Sequence, residues 1–300
     1  MKRFLLEILA FTVIVIGTIV YTFSLADGHA DAFYVKISSN KKANLILGTS
    51  KAAQGIQPEI LEKELHKEFF NYSFTIELSP YGEVYYRRII EKLDTIHKNQ
   101  IFILTVDAWS ISTRSTEQKI PMNFREHGTF FNNLSNFSKT PNFEYLFKYY
   151  DYKYYNLLIS NSLAFSHDDG WYEIKPKKNI DYKRRTEFTM KGYERSASDY
   201  QYSRIRNEYL YKTVEYLKKF GTVYLVRLPE DSSLYTIEQK IIPVLEEQIA
   251  LTIKLSDGYL DLSNYNNQMI YTDGVHLRKD SGEQISTIIA KWIVDQKEKN

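Results

Sequence analysis

Three short runs, Ala43 to Leu47 (ANLIL), Ile101 to Val106 (IFILTV) and Thr222 to Leu228 (TVYLVRL), are apolar on successive positions rather than on alternate ones. A strand with no polar side must be covered on both faces, which is the condition of a parallel sheet lying between helices. The stretches between these runs keep a helical period. Glu83 to His97 is amphipathic, and Asn207 to Phe220 places Tyr211, Val214, Tyr216 and Leu217 mostly on one side. Phe69 to Ile76 and a short segment near Leu251 to Leu255 read as further strands, and a helix begins near Pro58. Another helix spans Thr236 to Ile249, and a last one runs from Asp280 to Asp295 with Asp280 or Ser281 as its cap and Glu283 in its first turn. Strands alternating with helices of this length predict an α/β domain over residues 43–300, three-layer α/β/α on a mainly parallel sheet.

The alternation fails between about residues 110 and 206, a Tyr-, Asn- and Lys-rich stretch that contains Trp171 and the run Phe147-Lys148-Tyr149-Tyr150. It reads as an insertion between the third and fourth strands, part helix and part loop. An insertion there sits at the carboxyl edge of the sheet, where open α/β folds bind ligands, so it is placed to roof a site.

Ahead of the domain, Phe4 to Leu25 is interrupted only by Glu7 and is apolar on every face. As a helix it is roughly 33 Å long, enough to cross a bilayer core. Residues 1–26 therefore read as a cytoplasmic tip and single-pass anchor, and residues 27–42 as a short polar tether. Lys2 and Arg3 precede the run whereas Asp27 and Asp31 follow it, which puts the amino terminus in the cytoplasm and the domain outside. A cleaved signal peptide is the rival reading, given the basic start and Ala26 after Ser24, but its apolar segment is usually about 7 to 15 residues.

The charges of the 300-residue chain nearly cancel at +2 with no dense basic stripe, which argues against nucleic acid as a partner. The absence of cysteine excludes disulfides, thiolate nucleophiles and cysteine-held metals. His167-Asp168-Asp169 has metal-ligand residue types, yet three adjacent positions do not converge comfortably on one ion. No metal and no cofactor is assigned.

The chemistry starts at Leu47-Gly48-Thr49-Ser50, where the first strand meets a helix. A serine hydroxyl there is exposed at the sheet edge near the positive end of a helix dipole, and to attack a carbonyl it needs a base. Near the other end stands Thr272-Asp273-Gly274-Val275-His276-Leu277, a loop able to present the imidazole of His276 to a distant serine while Asp273 orients it. The nucleophile elbow of the α/β-hydrolases does not fit, because position 52 is Ala52 and the serine follows the first strand. Arg227, ending an apolar strand, either binds an anionic substrate group, pairs with Asp107 or makes a purely structural pair. Trp109 and Trp171 are either stacking platforms for sugar rings or packed side chains.

In its early Gly-Thr-Ser and its late Asp-x-x-His before the last helix, the chain resembles the SGNH or GDSL-like hydrolases, more narrowly their membrane-anchored bacterial branches associated with surface polysaccharide. The resemblance implies a flavodoxin-like sheet, Ser50 as nucleophile, His276 as general base and Asp273 as its orienting acid. It implies an oxyanion hole completed by the backbone of Gly82 and by an asparagine after the third strand, where this chain has Asp107. It covers roughly residues 43–110 and 207–297. The expected function is an extracytoplasmic esterase or O-acyltransferase acting on acyl esters of an envelope polysaccharide or similar polymer. The alternative is an inactive scaffold or polymer-binding protein that works with other envelope-assembly proteins, motivated by Asp107 and by the insertion.

Overall fold

The apolar runs pair with one another side by side. A computed structural model gives the fold and describes residues 1–25, 31–118, 124–137, 141–151, 153–158, 163–175 and 179–299. Its sheet has five strands, β1 (Asn44–Leu47), β2 (Phe69–Asn71), β3 (Gln100–Thr105), β4 (Gly221–Arg227) and β5 (Gly258–Asp261). They lie in the order β2-β1-β3-β4-β5, and every pairing is parallel. The helices that frame the sheet and the site are α1 (Lys2–Ser24), α2 (Ala32–Ser38), α3 (Ser50–Gly55), α4 (Pro58–Leu65), α5 (Glu83–Lys92), α6 (Phe143–Lys148), α7 (Tyr182–Ala197), α8 (Arg204–Leu217), α9 (Ser232–Ile241) and α10 (Lys279–Lys299).

Alternation along the strands divides the core in two, since successive side chains leave a strand on opposite faces. Leu45, Leu47, Phe102, Leu104, Val223 and Leu225 join one apolar cluster with Val84 and Ile89 of α5, Val214 of α8 and Leu234 of α9. Ile46, Ile101, Ile103, Tyr224 and Val226 join the other with Leu61 of α4 and Ile285, Ile289 and Ile293 of α10. The successive apolar positions are thus explained by burial on both sides.

Several sequence expectations need correction. The strand expected near Leu251 to Leu255 is a helix, Ala250–Leu255, and the fifth strand lies after it at Gly258–Asp261. An apolar run this short fits either period, and its packing decides, since Ile249 and Thr252, three apart, are both buried and Leu251 is exposed. The helix expected over Thr236 to Ile249 starts at Ser232 and stops at Ile241, because Ile242 is extended ahead of Pro243. The helix expected to reach His97 ends at Lys92, where Leu93 turns extended and bridges to Lys42. Beyond Asn71 the expected second strand continues as extended chain and then turns at residues 76–78. The expected tether is in part a folded element. Asp31 caps α2 by accepting from the Phe33 and Tyr34 amides, Tyr34 is buried against the Tyr145 ring, and the Lys36 ammonium donates to the Ser73 carbonyl at 2.7 Å. Ala26 and Asp27 lie outside the described residues.

The segment between β3 and β4 is joined at its base, where Ser112–Arg114 and Tyr200–Tyr202 pair antiparallel. A bidentate pair between Arg206 and Glu126, both side chains 0% exposed, ties it to α8 at 2.9 and 3.1 Å. Complete burial is tolerable because the guanidinium fork satisfies both carboxylate oxygens and also donates to the Tyr81 carbonyl.

Of the described helices, α1 alone is long and apolar enough to cross a membrane, with a mean hydropathy of 2.4 over its best window and none of that window buried.

Candidate active site

The serine is placed by a glycine and two tyrosines. At the end of β1, Gly48 has φ +150°, and a Cβ there would lie 1.9 Å from the Thr105 hydroxyl on β3, so no side chain fits. The Gly48 amide donates to the Tyr85 hydroxyl at 3.1 Å, and Tyr85 in turn donates to the Tyr72 carbonyl at 2.7 Å. The Ser79 hydroxyl donates to the Gly48 carbonyl at 2.7 Å. The chain then enters α3, whose first residue is Ser50. A helix of six residues is marginal by itself. Side chains from outside hold its far end: the Asn71 amide donates to the carbonyls of Ala52 and Ile56 at 2.9 Å, and the Trp171 indole donates to that of Gln54 at 2.9 Å.

The histidine loop is a small closed turn. Tyr271 bridges to Leu277, the Thr272 amide donates to the His276 carbonyl at 2.8 Å, and Gly274 supplies the positive φ of +86° that the reversal requires. Asp273 accepts from the Val275 and His276 amides at 3.0 Å each, which fixes its carboxylate inside the turn. The same carboxylate lies 2.9 Å from His276 Nδ1, and His276 Nε2 lies 2.9 Å from Ser50 Oγ across 226 residues of sequence. Burial raises the Asp273 carboxyl, but the His276 hydrogen bond and charge, with the two amides, hold it down at about 2. A carboxylate only accepts, so Nδ1 carries the proton and Nε2 is left to accept from the serine hydroxyl. Geometry therefore brings Ser50, His276 and Asp273 into one unbroken relay.

Ser50 opens into a pocket of about 420 Å³ that Asp107, Trp109, Arg125 and, from α7, Phe188 and Tyr193 also line. The α7 helix of the insertion thus forms part of its wall. A larger groove of about 820 Å³, lined by α7 and α9 residues including Met190 and Thr236, contains none of the three relay residues.

The remaining sequence candidates fall differently. Trp109 lines the pocket and makes edge-on contacts with Tyr193 and Tyr200 at 5.0 Å. Arg227 does not reach the pocket. It is 6% exposed, 3.3 Å from Glu246 and 3.7 Å from Glu238, and covers the Tyr235 ring, so the structural pair is the correct one of its three readings. Gly82 caps α5, and a Cβ there would meet Glu126 at 2.8 Å and Arg206 at 3.1 Å; it packs on the buried ion pair and is not among the pocket residues. Other backbone N–H groups stand at the pocket. Ser50 and Lys51 stand in the first turn of α3, which no side chain caps, and Ile76 and Glu77 of the turn after β2 line the pocket.

Asp107 is in the pocket wall, but its carboxylate is compensated. Lys51 Nζ lies 3.2 Å from it, 2.7 Å from Glu238 and in direct contact with Glu230. Burial works against the Lys51 ammonium, yet Asp107, Glu230 and Glu238 together raise its pKa well above that of a free lysine. Burial and the neighbouring Glu238 push the Glu230 carboxyl well above the usual range. Sequence reasoning missed Lys51, although its signal was present: a charge inside a helix that must pack, directly after the serine and before Ala52 and Ala53.

His167 pairs with Glu173 at 2.8 Å, and Asp169 accepts from the Trp171 amide. Among the described residues no group of three or more His, Asp or Glu side chains is arranged to hold a metal. A scan of protein-family models finds none that matches the chain, and a search of curated proteins finds no match.

Proposed function

We propose that the chain is a membrane-anchored serine esterase or O-acyltransferase of the SGNH type, acting outside the cytoplasm on acyl esters of an envelope polysaccharide or similar polymer. The observation that carries this reading is the relay from Asp273 through His276 to Ser50, each link 2.9 Å long. The strand order β2-β1-β3-β4-β5 is that of a doubly wound sheet, with Ser50 at the carboxyl end of β1, and it supports a three-layer flavodoxin-like fold. The basic residues Lys2 and Arg3 ahead of α1 support a cytoplasmic amino terminus.

In the reaction, His276 Nε2 takes the Ser50 proton as Oγ bonds to the acyl carbonyl carbon. The carbonyl oxygen becomes an oxyanion beside the free amides at the start of α3, which need no reorganisation to receive it. Collapse expels the alcohol, protonated by His276, and leaves an acyl-serine. Water or a sugar hydroxyl, deprotonated by His276, then takes the acyl group and restores Ser50.

The scaffold alternative drew its force from a carboxylate in the oxyanion region and from the insertion. Lys51, 3.2 Å from Asp107, offsets part of that carboxylate's repulsion while being shared with Glu230 and Glu238. The test is hydrolysis of a small activated acyl ester by the full chain in detergent. Wild type is expected to turn the ester over and Ser50→Ala to fall to the uncatalysed background. Equal rates for the two would overturn the covalent mechanism.

A further inference from the structure

The last turn of α1 is in contact with a surface of the insertion that is itself apolar. Phe23, 6% exposed, meets the rings of Phe143, Phe147 and Tyr154 at centroid distances of 5.9, 5.7 and 5.2 Å. Phe143 and Phe147 stand one turn apart on α6 and stack at 6.2 Å. Away from Phe23 the patch faces outward: Phe147 is 66% exposed, and Tyr155 and Leu158 also lie open. At its edge the exposed Lys148 pairs with Glu144 at 3.1 Å across one helical turn, and Lys153 Nζ lies 5.8 Å from the centre of the Tyr155 ring.

Depth identifies what covers this patch. A helix of 23 residues is about 34 Å long and a hydrocarbon core about 30 Å thick, so with Lys2 and Arg3 among one set of headgroups, the last turn of α1 lies at the other. Rings packed on Phe23 share that depth to within about 6 Å, inside the zone of roughly 5 to 10 Å that interfacial elements occupy. Phenylalanine and tyrosine flanked by lysines match the chemistry of that zone, where rings span the apolar boundary and ammonium groups reach phosphates.

We infer that the surface from α6 to Leu158 is a second membrane contact, with Phe147, Tyr155 and Leu158 seated in the lipid interface. The domain is thereby held against the bilayer at two places, so its pocket keeps a fixed orientation toward membrane-borne substrate. This rests on α1 being the anchor of the preceding proposal and is independent of the serine chemistry.

The chain has no cysteine, which makes single-site labelling clean. Full-length Phe147→Cys and Leu158→Cys, with Ile96→Cys and Leu251→Cys as exposed controls, are labelled with bimane in phosphatidylcholine–phosphatidylglycerol vesicles containing a lipid with a nitroxide near the top of its acyl chain. Quenching at 147 and 158 is expected to exceed that of both controls several-fold. Quenching no greater than the controls in chain that floats with alkali-washed vesicles overturns the docking surface and leaves the anchor standing. A blue-shifted but unquenched label, showing the patch covered by protein, also overturns it. Chain that the alkaline wash strips from the vesicles removes the anchor and this inference together.

Discussion

His276→Ala is expected to lower kcat for ester hydrolysis by about 10⁴-fold with KM changed only a few-fold, because the imidazole acts on the reacting bond and not on the bound ground state. Ser50 Oγ has its 2.9 Å partner only in Nε2, and no other titratable side chain of the pocket is hydrogen-bonded to it among the described residues. Without that acceptor the hydroxyl must ionise unaided. Serine and histidine act as one unit, so Ser50→Ala with His276→Ala is expected to be no slower than either alone. A His276→Ala enzyme within tenfold of wild type would show that another base serves the serine.

The second large effect concerns stability. Lys51→Met is expected to destabilise the fold by about 3 to 5 kcal/mol near neutral pH, seen as a Tm lower by roughly 5 to 10 °C in detergent. The methionine fills the space but leaves Asp107, Glu230 and Glu238 without the ammonium they share. Glu230, already held well above the usual carboxylate range by burial and by Glu238, then loses the ammonium that lowers it. Groups shifted upward stabilise the fold below the unfolded pKa and lose that contribution as pH rises through the folded one. The deficit of Lys51→Met relative to wild type should therefore be largest above pH 7 and shrink toward pH 5. Thermal melts across that range check this, and a deficit independent of pH would mean that Lys51 matters by packing alone.

The parts of this molecule legible in its sequence are those whose physics is local. ANLIL, IFILTV and TVYLVRL identify strands because burial on both faces leaves no polar position, and the structure moves their bounds by a residue or so. Gly48 before Ser50 was readable as a turn signal, although its reason, the Thr105 hydroxyl 1.9 Å from any Cβ, comes from another strand. What brings Ser50 to His276 is the order of elements: one ends the first strand, the other precedes the last helix. Pro243 gave a local warning that the helix over Thr236 to Ile249 would break. Lys51 carried a local signal as a charge inside a packed helix, but its partners were illegible for the opposite reason, since Glu230 and Glu238 lie 179 and 187 residues away. The packing of Gly82 was illegible because its neighbours, Glu126 and Arg206, meet only through the insertion.

The most direct measurement is to treat the full-length protein with a fluorophosphonate, digest it with trypsin and locate the adduct by mass. The relay is expected to put one phosphonate on the peptide Ala43 to Lys51, at Ser50, and to leave the same peptide unmodified in His276→Ala. Wild-type protein that stays unmodified, or an adduct on any other residue, would contradict the assignment of Ser50 as the nucleophile.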